Sequence, residues 1–79
     1  AIDQNMYQAY LDRAKAAVAM AKAQLDNAEK EKKRILVLFK QGSATEQMHD
    51  RAITGAATAE AALREAEAGL TLAKIKFDE

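Results

Sequence analysis

Apolar residues recur every seven positions along nearly the whole chain. In the first half, Leu11, Val18, Leu25, Lys32 and Phe39 occupy one position of the repeat, and Tyr7, Ala14, Ala21, Ala28 and Ile35 occupy another. In the second half, His49, Ala56, Leu63, Leu70 and Phe77 repeat in the same way, with Ala52, Ala59, Ala66 and Ala73 between them. On an α-helix, rows offset by three and four residues merge into one stripe, the seam of a coiled coil. Each half therefore carries a mostly large row and a mostly alanine row. Antiparallel pairing sets large against small, with Leu25 on Ala59, Val18 on Ala66 and Leu11 on Ala73, which permits knobs-into-holes packing at close axial separation.

Only Gln41-Gly42-Ser43-Ala44-Thr45 interrupts the pattern. Gly42 fits the positive-φ position that follows a helix, Lys40 suits the negative end of a helix dipole, and Thr45 reads as an N-cap with Glu46 and Gln47 behind it. The spacing predicts helix 1 over about residues 4–41, a turn at about 42–45 and helix 2 over about 46–77, each helix roughly 50 Å long. A short connection forces the helices back on each other. The expected fold class is all-α, a two-helix antiparallel coiled-coil hairpin.

Composition sharpens this picture. Ala, Glu, Lys, Leu and Arg supply 45 of the 79 residues, and proline is absent. Nineteen of the 45 are alanine, so the seam is thin. Twelve basic and twelve acidic residues cancel, which argues against a general nucleic-acid or anionic-membrane binder. The signs are unevenly shared. Residues 1–41 carry eight basic and five acidic side chains, and residues 42–79 carry four and seven. Lys22–Asp26, Glu29–Lys33 and Glu60–Arg64 are spaced for ordinary helix-surface pairs.

Nothing points to catalysis. The carboxylates lie on solvent faces with basic neighbours, and a two-helix hairpin offers no cavity to desolvate an acid–base pair. There is no cysteine, and the single histidine, His49, falls at a seam position facing Ile35 with no second ligand at helical spacing. No phosphate loop or nucleophile–base pair is present. The expectations are therefore no enzyme, no cofactor and no metal. The cluster Lys30-Glu31-Lys32-Lys33-Arg34 lacks the surrounding basic surface and aromatics of a nucleic-acid binder, so no nucleic-acid partner is expected.

Two features exceed what a lone hairpin needs. Ile35-Leu36-Val37-Leu38-Phe39 is five consecutive apolar residues, and at 100° per residue such a run wraps the helix. Helix 2 covers only part of this collar, which leaves a surface suited to another protein. In helix 2, Gly55, Ala62 and Gly69 form a small-residue stripe beside the core row. It would let a neighbouring hairpin approach closely, or it is simply tolerated in an alanine-rich helix.

Several segments carry a family resemblance. Ile2-Asp3-Gln4-Asn5-Met6-Tyr7-Gln8-Ala9-Tyr10-Leu11, leading into alanine-rich heptads, resembles the start of the α-helical hairpin of bacterial periplasmic adaptors. These are the membrane fusion proteins of the HlyD family, which serve tripartite efflux pumps and type I secretion systems. Leu72-Ala73-Lys74-Ile75-Lys76-Phe77 is similar to the return from that hairpin. The family carries an Arg-x3-Leu-x6-Ser motif near the turn, and Arg34, Leu38 and Thr45 match its spacing. Thr45 stands where the family has serine, keeping the hydroxyl and adding a methyl group. The arm length resembles the AcrA and MexA type of resistance-nodulation-division (RND) adaptor.

The resemblance implies a hairpin excised from a larger adaptor with a lipoyl-like flanking domain. It implies a periplasmic location, with the parent anchored at the inner membrane, and a hexameric ring of copies. The partners would be an inner-membrane transporter and a TolC-like outer-membrane channel, docked through Arg34, Leu38 and Thr45. A free-standing structural coiled coil that self-associates through its apolar collar is the competing expectation.

Overall fold

The computed structural model describes residues 3–78 and, of these, the side chains up to Ile75. Ile2, and the side chains of Lys76 and Phe77, lie outside the described residues. Two helices, α1 (Gln4–Lys40) and α2 (Glu46–Asp78), account for everything described except Asp3 and the loop 41–45, and no strand occurs among the described residues. At 1.5 Å per residue, α1 alone spans about 56 Å. The molecule measures 62 × 15 × 12 Å, so the helices must lie side by side. Joined by a short loop, they run antiparallel and pack on each other. The fold is the expected all-α hairpin.

The ends are set by local chemistry. Asp3 caps α1, its carboxylate accepting the Asn5 backbone N–H at 3.0 Å. Thr45 caps α2, with Oγ1 accepting the Met48 N–H at 3.1 Å, and Glu46 lies in the first turn. Each cap satisfies one of the amides that a helix start leaves without an intrahelical acceptor.

Beyond Lys40 the chain closes in a Schellman motif. The Ser43 N–H donates to the Leu38 carbonyl at 2.8 Å, and the Gly42 N–H to that of Phe39 at 3.0 Å. Gly42 has φ +77°, a left-handed conformation. An L side chain there costs about 1–2 kcal/mol, although nothing lies within 4 Å of where a Cβ would sit. Gly42→Ala is therefore expected to lower hairpin stability by about 1–2 kcal/mol, read from a denaturant midpoint. An unchanged midpoint would mean that the loop relaxes to another turn.

Burial follows the heptads. Leu11, Val18, Ala21, Ile35, Ala56 and Ala73 are buried. Tyr7, Ala14, Leu25, Ala28 and Lys32 of α1, and His49, Ala52, Ala59, Leu63, Ala66 and Leu70 of α2, are half-buried. Of the described seam positions, only Phe39 is exposed, at 39%. Lys32 takes a seam position because its methylene stem can lie on the apolar stripe while its ammonium reaches water.

On the surface, Glu60–Arg64 forms as expected, at 2.6 Å. Asp26, however, pairs with Lys30 at 3.2 Å and not with Lys22. An acid preceding its base by four residues is the better orientation on a helix, and Lys22–Asp26 has the reverse order. The expected Glu29–Lys33 pair is not among those formed by the described residues.

Candidate functional site

The apolar collar lies in the last two turns of α1, beside the loop. Ile35 is 4% exposed and faces α2, while Val37 is 54% exposed on the opposite side. Leu36 and Leu38 are half-buried on the two flanks. A fifth member, Phe39, stacks on His49 of α2, with centroids 4.5 Å apart and planes tilted by 35°. His49 thus closes the seam against Phe39, and its Nδ1 lies 3.1 Å from Asp50 Oδ1. Among the described residues, no group of three or more His, Cys, Asp or Glu side chains could hold a metal.

Arg34 lies one turn below Leu38 on α1, exposed and already engaged. Its Nη2 donates to Glu31 Oε1 at 2.6 Å and its Nε to Oε2 at 3.1 Å. Hydrogen bonding by the guanidinium holds the Glu31 carboxyl below its usual range, and the same bond raises the Arg34 pKa. Spacing supplies this partner, since Glu31 stands three residues before Arg34 on one face of the helix. Being exposed, the pair adds little to stability, and its consequence is to fix the direction of the Arg34 fork.

Arg34, Leu38 and Thr45 all fall within two helical turns of the loop, so the hairpin brings them to one end. They are not alike in exposure. Arg34 and Thr45 are exposed, whereas Leu38 is half-buried. Thr45 also spends its hydroxyl as an acceptor in the α2 cap.

The small-residue stripe is divided. Ala62 and Gly69 line a groove of about 530 Å³ between the helices, together with Ala14, Ala17 and Ala21 of α1. Gly55 lines a separate concavity on α2 with Glu46, Gln47, Asp50, Arg51 and Thr54. Exposed Met20 and Tyr10 rim the groove between the helices. Nothing lies within 4 Å of a Cβ built at Gly55 or Gly69. Neither glycine is required by packing inside the hairpin, and each costs about 1 kcal/mol relative to alanine. Gly55→Ala and Gly69→Ala are each expected to stabilise the single hairpin by about 1 kcal/mol, measured by denaturant unfolding. A loss of stability from either would show a packing role within the hairpin.

No helix of the described residues is long and apolar enough to cross a membrane. Residues 7–78 match a family model described as "RND MFP, alpha-helical hairpin domain". No curated protein and no solved structure matches the chain.

Proposed function

Because the chain belongs to the α-helical hairpin domain of RND membrane fusion proteins, we propose that it is the docking arm of a periplasmic adaptor. The arm joins an inner-membrane transporter, through the rest of its parent protein, to a TolC-like outer-membrane channel, for efflux or secretion. Its work is mechanical. A stiff rod holds an adhesive tip at a fixed distance, and substrate choice lies elsewhere in the pump.

One observation carries this reading: the hairpin gathers the three residues of the motif, Arg34, Leu38 and Thr45, at the loop end of a 62 Å rod, beside exposed Val37 and Phe39. Leu38 supplies an apolar knob, Arg34 a planar donor for carbonyls or carboxylates, and Thr45 a capped helix start beside them. Gly55, Ala62 and Gly69 allow a neighbouring hairpin to approach when copies form a ring, six of them by the family's pattern. The parent sits in the periplasm, held at the inner membrane.

Copurification tests the reading. The full-length parent, extracted with its membrane, is expected to bring the outer-membrane channel down with it, and a parent lacking the hairpin is expected to lose the channel. A hairpin-less parent that still captures the channel overturns the assignment.

A further inference from the structure

Arg51 has no place in the motif that picks out Arg34, Leu38 and Thr45, yet it sits beside Arg34. The two arginines come from different helices and line one groove of about 260 Å³, together with Ile35, Met48, Ala52 and Glu31. Their meeting follows from the seam. Arg34 precedes core Ile35, Arg51 precedes core Ala52, and antiparallel pairing brings equivalent flanks of the two helices to the same side of the hairpin.

The two side chains differ in what they hold. Arg34 has its fork committed to Glu31 in two hydrogen bonds. The positions that could neutralise Arg51 along α2, three and four residues away, are Gln47, Met48, Thr54 and Gly55, none of them acidic. Asp50, next to it in sequence, is turned about 100° around the helix and pairs with His49. Arg51 forms no ion pair among the described residues. The groove therefore holds two guanidiniums and one carboxylate, an unbalanced positive charge beside an apolar strip, in a chain whose formal charge is zero.

We propose that Arg51, with Arg34, clamps an acidic side chain of the partner that docks at the tip, and that an apolar residue next to that acid lies on exposed Met48. This rests on the docking reading above and adds both a contact residue and the chemistry of its counterpart. A carboxylate matches a guanidinium fork in two parallel hydrogen bonds. One carboxylate also balances the groove's one excess charge. Glu31 inside the groove, and Glu46 and Asp50 beside Arg51 on α2, oppose any anion, so a single carboxylate that both arginines can fork is accepted where a surface carrying many phosphates is not. Glu31 acts as a positioning residue that competes for Arg34.

The test uses the full-length parent and its outer-membrane channel, with binding titrated for the unsubstituted protein, Arg51→Ala, Arg51→Lys and Glu31→Gln, and helicity followed by circular dichroism. Arg51→Ala is expected to weaken channel binding about tenfold or more, the scale of a charge-assisted hydrogen-bonded contact, with helicity unchanged. Arg51→Lys is expected to recover only part of the loss, since a point charge cannot form the fork. Glu31→Gln, which frees the Arg34 fork, is expected to tighten binding. Wild-type binding by the Arg51→Ala protein overturns the clamp and leaves the docking arm standing. An unsubstituted parent that captures no channel overturns both. Binding to phosphatidylglycerol vesicles that is lost in Arg51→Ala while channel binding persists assigns the groove to lipid phosphate and overturns the clamp.

Discussion

Val18→Asp is expected to unfold the isolated hairpin. Val18 is buried in the seam, with Ala21 buried one turn further along α1, and alanine offers no polar atom to an incoming carboxylate. Lys15 and Lys22, three residues before and four after, are exposed, so a carboxylate that turned out to meet either would leave the layer unfilled. Burying a charge without a partner costs several kcal/mol. A core of this size rarely contributes more than about 3–5 kcal/mol in total, so the substitution consumes the whole margin. Glu67→Ala, at an exposed position of α2, is the control and should change stability by less than about 0.5 kcal/mol. Far-UV circular dichroism with urea titration reads both. Equal losses would mean that the helices pair in a different register.

Arg34→Asp combined with Leu38→Ser should abolish capture of the outer-membrane channel by the full-length parent while leaving the hairpin folded. Reversing a charge opposite an acidic or carbonyl-rich partner costs several kcal/mol. Removing an apolar knob of leucine size forfeits about 2 kcal/mol more. Together these correspond to a loss of at least about a thousandfold in affinity. Inside the hairpin the cost stays below that of a seam substitution, since Leu38 is only half-buried on a flank. Arg34→Asp removes an exposed pair with Glu31 and leaves two acids three residues apart, a penalty of a few tenths of a kcal/mol. Ile35, the buried member of the collar, is untouched. A folded double variant that binds the channel at wild-type strength would remove Arg34 and Leu38 from the docking surface. The helical hairpin itself would be unaffected by that result.

The fold was legible because period and punctuation agree. Leu11, Val18, Ala56 and Ala73 lie at heptad positions and are buried, and Gly42 and Thr45 occupy the backbone roles that their chemistry suits. Periodicity could not rank members within a row. Leu25 and Val18 share a register position, yet Val18 is buried and Leu25 half-buried, a difference in depth that a seven-residue repeat does not encode. The site was legible only along each helix. Sequence spacing placed Arg34 and Leu38 on neighbouring turns. That Arg51 lies across from Arg34 follows only once the antiparallel register is known, since seventeen residues and a loop separate them. The Gly55–Ala62–Gly69 stripe was likewise legible along α2 alone. One helix shows three small residues in line, but α1 shares a groove with only Ala62 and Gly69.

The five-residue loop at 41–45 also dictates an order of events. Contacts beside it, such as Phe39 on His49, close the shortest stretch of chain, and closure entropy rises with the length enclosed. Contacts at the far end, around Leu11 and Ala73, enclose most of the molecule. The hairpin therefore closes like a zipper from the loop and opens from the opposite end of the rod, with nucleation at the loop. The last contacts to persist are those around Ile35, Phe39 and His49, so the most durable order sits at the loop, and the end around Leu11 and Ala73 gains most from any tether that holds the two helices together.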